Sequence, residues 1–207
     1  GDDDEITVPI TGAFPYPGGA TTALTVCSNG FVSALPGNGV SFQPSLTTFL
    51  SRPQPCWSVA WHDFDPTAGG QITFHEAGGI AYVTWDAVFS YGTTVPETVQ
   101  AQFDTATGAV HVLWMTGTGG GNGYLVGWDS PPPHGNPGGT DLSAMIPTVF
   151  AVAGADELPL SLTTLGVPMS TPSAGSAVQF TTDRMPEFAP GVYLGLLIFS
   201  GVQVPAP

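Results

Sequence analysis

The sequence predicts an all-β protein, an antiparallel β-sandwich, on three observations. Apolar and polar residues alternate in short segments that recur about every ten residues, helical periodicity is almost absent, and Gly (28) with Pro (21) punctuates the gaps. Charged residues make only 9% of the chain against 42% hydrophobic, and twelve Phe, five Trp and five Tyr supply ample apolar volume for a buried core. At 207 residues the chain suffices for one large sandwich, or for a sandwich with a small second β domain.

Taken in order, ITVPI, TALTVCSNGFVSAL, CWSVAWHDF, QITFHE, IAYVTWDAVF, TVQAQFD, AVHVLWM and YLVGWD read as strands. In VQAQFDTATGAVHVLW, Val99, Ala101 and Phe103 face one way and Gln100 and Gln102 the other, while DTATG supplies a turn in which Gly108 takes a positive φ. A second hairpin runs from QITFHE through AGG into IAYVTWDAVF, with Gly78 and Gly79 as turn residues. In CWSVAWHDFDP, strict alternation places Trp57, Val59, Trp61, Asp63 and Asp65 on one side and Ser58, Ala60, His62 and Phe64 on the other. After GWDS the texture changes to PPPHGNPGGTD, so residues 1–130 form the first unit and 131–154 a Pro/Gly-rich loop or linker. Residues 155–207 then form a small β segment or closing strands.

The formal charge of −14 sets sixteen acids against Arg52 and Arg184, with no lysine. A nucleic-acid partner is excluded, because counterion release needs a basic surface, and an anionic membrane is disfavoured for the same reason. The longest apolar run, VYLGLLIFSGV, is too short to span a bilayer and reads as a buried strand. Cys27 and Cys56 are the only cysteines, and an even pair in such a chain fits one disulfide in an oxidising compartment, against the alternative of two unpaired buried thiols. The chain opens on GDDDE without a leader, so a secreted protein is expected here in mature or trimmed form.

Catalytic signatures are missing. His75-Glu76 begins like a zinc helix, but HEAGGIA has no second histidine and two glycines where a helix must continue. There is no G-x-S-x-G elbow, and GTGGGNG lacks a following helix to bind phosphate. Glycosidase chemistry has Asp63, Asp65, Glu76, Asp86 and Glu97 to draw on, a choice too wide to carry weight. His62, His75 and His111 read as sheet-surface residues. Asp63 and Asp65, beside the Gly-rich turn, are the one metal candidate, as Ca²⁺ ligands helped by turn carbonyls or by the DDDE terminus; the competing role for Asp65 is to initiate the DPTAGG turn. No other cofactor is called for.

The order of these pieces resembles the nidogen-like (NIDO-type) extracellular β domain of matrix proteins and of secreted bacterial proteins. Ser28-Asn29-Gly30-Phe31, Trp61 with Asp63, and Val83-Thr84-Trp85 carry the likeness over roughly residues 14 to 130. The tail from about 155 resembles the C-terminal β segment of planctomycete secreted proteins. Such domains are adhesive or structural, and the resemblance brings no catalytic residue with it. The expected function is thus a secreted, non-enzymatic, structural or adhesive module whose partners are protein or glycan at a cell surface, or copies of itself. In a self-assembling version, ITVPI and GVYLGLLIFSGV at the two ends donate strands to the next copy. The alternative is a carbohydrate-binding module or a component of a polysaccharide-acting enzyme, with Trp57, Trp61, Trp85, Trp114 and Trp128 stacking on sugars.

Overall fold

The computed structural model describes residues 1–16, 19–116, 124–129, 149–153, 157–162, 176–184 and 195–203. Two antiparallel sheets face each other. The first orders β1 (Glu5–Tyr16), β2 (Gly19–Cys27), β3 (Phe31–Ser33), β4 (Cys56–Trp61), β10 (Tyr124–Asp129) and β12 (Glu157–Leu162). The second orders β11 (Val149–Ala153), β13 (Ser176–Arg184), β14 (Gly195–Gln203), β9 (Val110–Thr116), β8 (Pro96–Asp104), β7 (Ile80–Ser90) and β5 (Phe64–Asp65), with β6 (Gln71–Ala77) also paired to β7. A single helical turn, α1 (Leu46–Phe49), sits in the long connection between β3 and β4. No helix among the described residues is long and apolar enough to cross a membrane.

The two predicted hairpins form as their turn residues require. Ala77 faces Ile80 across Gly78 (φ 61°) and Gly79 (φ 82°), and Gly108 (φ 75°) closes β8 onto β9 by donating its N–H to the Asp104 carbonyl at 2.8 Å. Inward alternation on β8 buries Val99, Ala101 and Phe103. They meet Val26, Val32, Trp57 and Val59 from the opposite sheet, and Phe14, Trp57 and Phe103 pack edge to face at 5.3 to 5.5 Å. Four tryptophans, Trp57, Trp61, Trp85 and Trp128, are thereby buried. The side chain of Trp114 lies outside those described.

A second, smaller core lies on the other face of the first sheet. Cys27, Phe31 and Ser58 stand in one row across β2, β3 and β4, and Val26, Val32 and Trp57 in the next. With a side-chain period of two, neighbouring rows face opposite ways. The connection 34–55 folds across the outer row as a flap, enclosing Cys27, Phe31, Phe49, Cys56, Trp61 and Leu125.

Three expectations are corrected here. Cys27 and Cys56 are both buried and not bonded to each other. Strand β3 separates them, since Cys27 faces Phe31, which faces Ser58, two residues beyond Cys56. Two strand spacings put the backbones roughly 9 to 10 Å apart, beyond the reach of a disulfide. Strict alternation also fails in β4: the N–H groups of Val59 (3.0 Å) and Ala60 (2.9 Å) both donate to the Gly30 carbonyl, and the pairing with β10 slips by one residue. This bulge sends Trp61 to the flap side, opposite Trp57. Of the GVYLGLLIFSGV segment, the described residues from Gly195 on lie in β14, an interior strand between β9 and β13, rather than a free edge.

Candidate functional site

Some of the residues that stood out in the sequence, the acidic terminus, Asp63 and Trp85, gather around the Ser28-Asn29-Gly30 turn. Gly30 has φ 77°, and a Cβ there would lie 2.1 Å from the Ala60 carbonyl oxygen, so only glycine fits against the bulge. The Asn29 carboxamide is fully buried: Oδ1 accepts from Phe64 N–H (3.0 Å), and Nδ2 donates to Asp3 Oδ1 (2.7 Å) and to the Val40 carbonyl (3.1 Å). Ser28 exchanges bonds with the backbone of Asp4, and its carbonyl accepts from Trp85 Nε1 at 2.9 Å. One turn therefore ties the N-terminal segment, the flap and both sheets together.

The acidic terminus lies over this turn, near the candidate metal residues. Partial burial, with repulsion from Asp3, Asp2 and Asp65, pushes the Asp63 carboxyl up to about 6. Asp2 is likewise raised, by burial first and then by Asp65 and Asp3. Asp65 behaves differently. Its Oδ1 accepts from the Thr67 hydroxyl, the Thr67 N–H (2.9 Å) and the Ala68 N–H (3.1 Å), which caps the turn and lowers its pKa. Asp65 is the turn former at this site. Among the described residues no three His, Cys, Asp or Glu side chains are grouped so as to hold a metal ion.

The other acids of the glycosidase set have separate contacts. Glu76 accepts from the Thr11 N–H (2.8 Å) and hydroxyl (3.0 Å), bracing β6 against β1, and exposed Asp86 takes a bond from Gln71. Glu97 is fully buried and accepts from Ser90 Oγ at 3.4 Å; Ser90 Oγ in turn lies 2.9 Å from His62 Nε2. The serine sits between histidine and carboxylate, whereas nucleophilic catalysis needs the histidine between them. His62 is fully buried and stacks on Tyr124 at 4.3 Å, in contrast to the surface position its strand suggested. His75 does lie on the sheet surface, stacked on Tyr82 at 4.6 Å, and His111 is half-buried with its pKa lowered by burial.

Sequence reasoning missed the Arg52 site. Arg52 is 2% exposed and stands over the rings of Phe31 (4.0 Å) and Trp61 (4.2 Å). Its Nη1 donates to Cys56 Sγ (2.7 Å) and Ser58 Oγ (3.0 Å). Asp129 is buried nearby, and desolvation, only partly offset by Arg52, pushes its carboxyl up to about 8. Burial also raises Cys56, against the pull of Arg52, and pushes Cys27 up to about 12, so neither thiol is poised as a nucleophile. The one available signal was the rarity of the cation in a lysine-free chain, on a segment rich in Phe and Pro. Comparison with protein-family models, with curated proteins and with solved structures returns no match.

Proposed function

We propose that this chain is a secreted, non-enzymatic β-sandwich module that serves adhesion or extracellular structure through contacts of its surface with protein, glycan or further copies of itself. The observation that carries this reading is the deployment of the reactive side chains. His62, Ser90, Glu97, Arg52, Cys27, Cys56 and Asp129 are all buried, inside the sandwich or under the flap. Contact function is left to the exterior, where the outer face of β6 to β9 presents Thr73, His75, Tyr82, Thr84, Gln100 and Gln102 with a hydrogen-bonded ladder from Gln102 through Gln100 to Thr84. The nidogen-like resemblance, carried by Ser28-Asn29-Gly30-Phe31, Trp61 with Asp63, and Val83-Thr84-Trp85 in the sequence, belongs to the same proposal.

For self-assembly, β1 offers a sheet edge with Ile6 65% exposed. The glycan route does not run through Trp57, Trp61, Trp85 or Trp128, whose rings are buried. Size-exclusion chromatography and electron microscopy across a concentration series, with glycan and matrix-protein arrays, test the proposal. Binding or assembly without turnover is expected. Hydrolysis of any bound polysaccharide would overturn it.

A further inference from the structure

We infer that Asn38-Gly39 is a self-modifying latch on the flap, a site of spontaneous deamidation whose conversion releases the 34–55 segment. The described chain holds two Asn-Gly pairs, and their surroundings differ. At Asn29-Gly30 the asparagine is fully buried, and the attacking group, the Gly30 N–H, is donated to the Cys27 carbonyl at 3.3 Å. At Asn38-Gly39 the asparagine is half-buried, the glycine is exposed, and the Gly39 N–H makes no hydrogen bond among the described residues. The Asn38 Oδ1 accepts from the Gln54 N–H at 3.0 Å, which polarises the side-chain carbonyl toward attack.

In the reaction the Gly39 nitrogen bonds to Asn38 Cγ, the Cγ–Nδ2 bond breaks, and ammonia leaves with the proton given up by the Gly39 nitrogen. Water then opens the succinimide to aspartate or isoaspartate, so no oxidant or cofactor enters. The lost amide matters because Nδ2 is one of the flap's fasteners. It donates to Ser33 Oγ (2.8 Å) on β3 and to the Gln54 carbonyl (3.1 Å) at the far end of the flap, joining the two ends of the segment. A carboxylate has no proton for the Gln54 carbonyl and faces that oxygen with like charge, and it keeps Ser33 only if the hydroxyl turns from acceptor to donor. The residues behind the flap, Cys27 and Cys56 among them, then gain access to solvent.

The test incubates the wild-type protein at mildly alkaline pH and follows two readouts: peptide-mapped mass at Asn38 and Asn29, and labelling of the two thiols in the folded state. Conversion is expected at Asn38 well before Asn29, with labelled thiol rising in step with converted Asn38. An Asn38→Asp chain should label roughly tenfold faster than wild type, the scale set by losing one or two hydrogen bonds in a local opening equilibrium. Conversion of Asn29 as fast as Asn38, no conversion at Asn38, or thiols equally protected in converted and unconverted molecules would each overturn the inference. Should Asn38→Asp fail to fold, the wild-type time course alone decides.

Discussion

The two cores of this molecule are built on different principles. Between the sheets, apolar strands from distant parts of the chain interlock, and three rings pack edge to face around Trp57. Under the flap, a guanidinium lies over two aromatic rings that touch each other, and the covering segment is fastened by individual polar bonds: Trp61 Nε1 to the Ser41 carbonyl (2.7 Å), Asn29 to Val40, and Asn38 to Ser33 and Gln54. The first core is cooperative and tolerant, since many weak contacts share the load. The second depends on a few groups, and losing one leaves the others without partners in a dry site. A disulfide across the same segment is ruled out by the strand between the cysteines, and Arg52 together with the polar bonds holds the flap instead.

The sharpest way to break both cores at once is at the turn they share. Gly30→Ala drives a methyl into the Ala60 carbonyl at a φ suited to glycine, so a loss of about 3 kcal/mol or more is expected, or no folded protein. Urea unfolding measures it, and a loss under ~1 kcal/mol would mean that the bulge can relax around a side chain.

Arg52→Ala, the next largest effect, should cost about 2 to 4 kcal/mol by emptying the space over Phe31 and Trp61 and leaving Ser58 without its donor. Arg52→Met separates volume from charge. If it restores most of the loss, the flap core is an ordinary apolar core; if it restores little, the cation itself holds the flap.

Acid should strengthen the fold down to about pH 4. Asp129 (about 8) and Asp63 (about 6) have native pKa values above their unfolded ones, so the native state binds more protons between those limits, and stability falls as pH rises through the window. Thermal unfolding from pH 4.5 to 8.5 should show a falling midpoint, with the upper part flattened in Asp129→Asn. A midpoint that rises with pH would contradict both assignments. Asp65 below the window, its native pKa lowered by its turn bonds, and half-buried His111 within it, its native pKa lowered by burial, work the other way, and His111 makes the slope shallower.

Smaller effects touch the inter-sheet side and the acidic end. Ala87, at φ 53° in the β7 bulge, should gain about 0.5 to 1 kcal/mol on replacement by glycine, read by the same unfolding experiment. With Asp65 engaged in its turn, millimolar Ca²⁺ should raise the melting temperature no more than Mg²⁺ does at matched ionic strength. A Ca²⁺-selective rise abolished by Asp63→Asn would restore the metal site.

What the sequence by itself determined lies in the local patterns: the all-β class, the β6–β7 and β8–β9 hairpins with their glycines, the common face of Val99, Ala101 and Phe103, and the turn role open to Asp65. Alternation and turn chemistry are short-range, and a reader of ten residues has all the terms. Only the tertiary structure decided which face Trp61 takes, where Arg52 lies, that His62 is buried, and that β3 keeps Cys27 from Cys56. Each of these depends on a distant partner, as the β4 bulge depends on the Gly30 carbonyl, and one added residue reverses every orientation downstream of it.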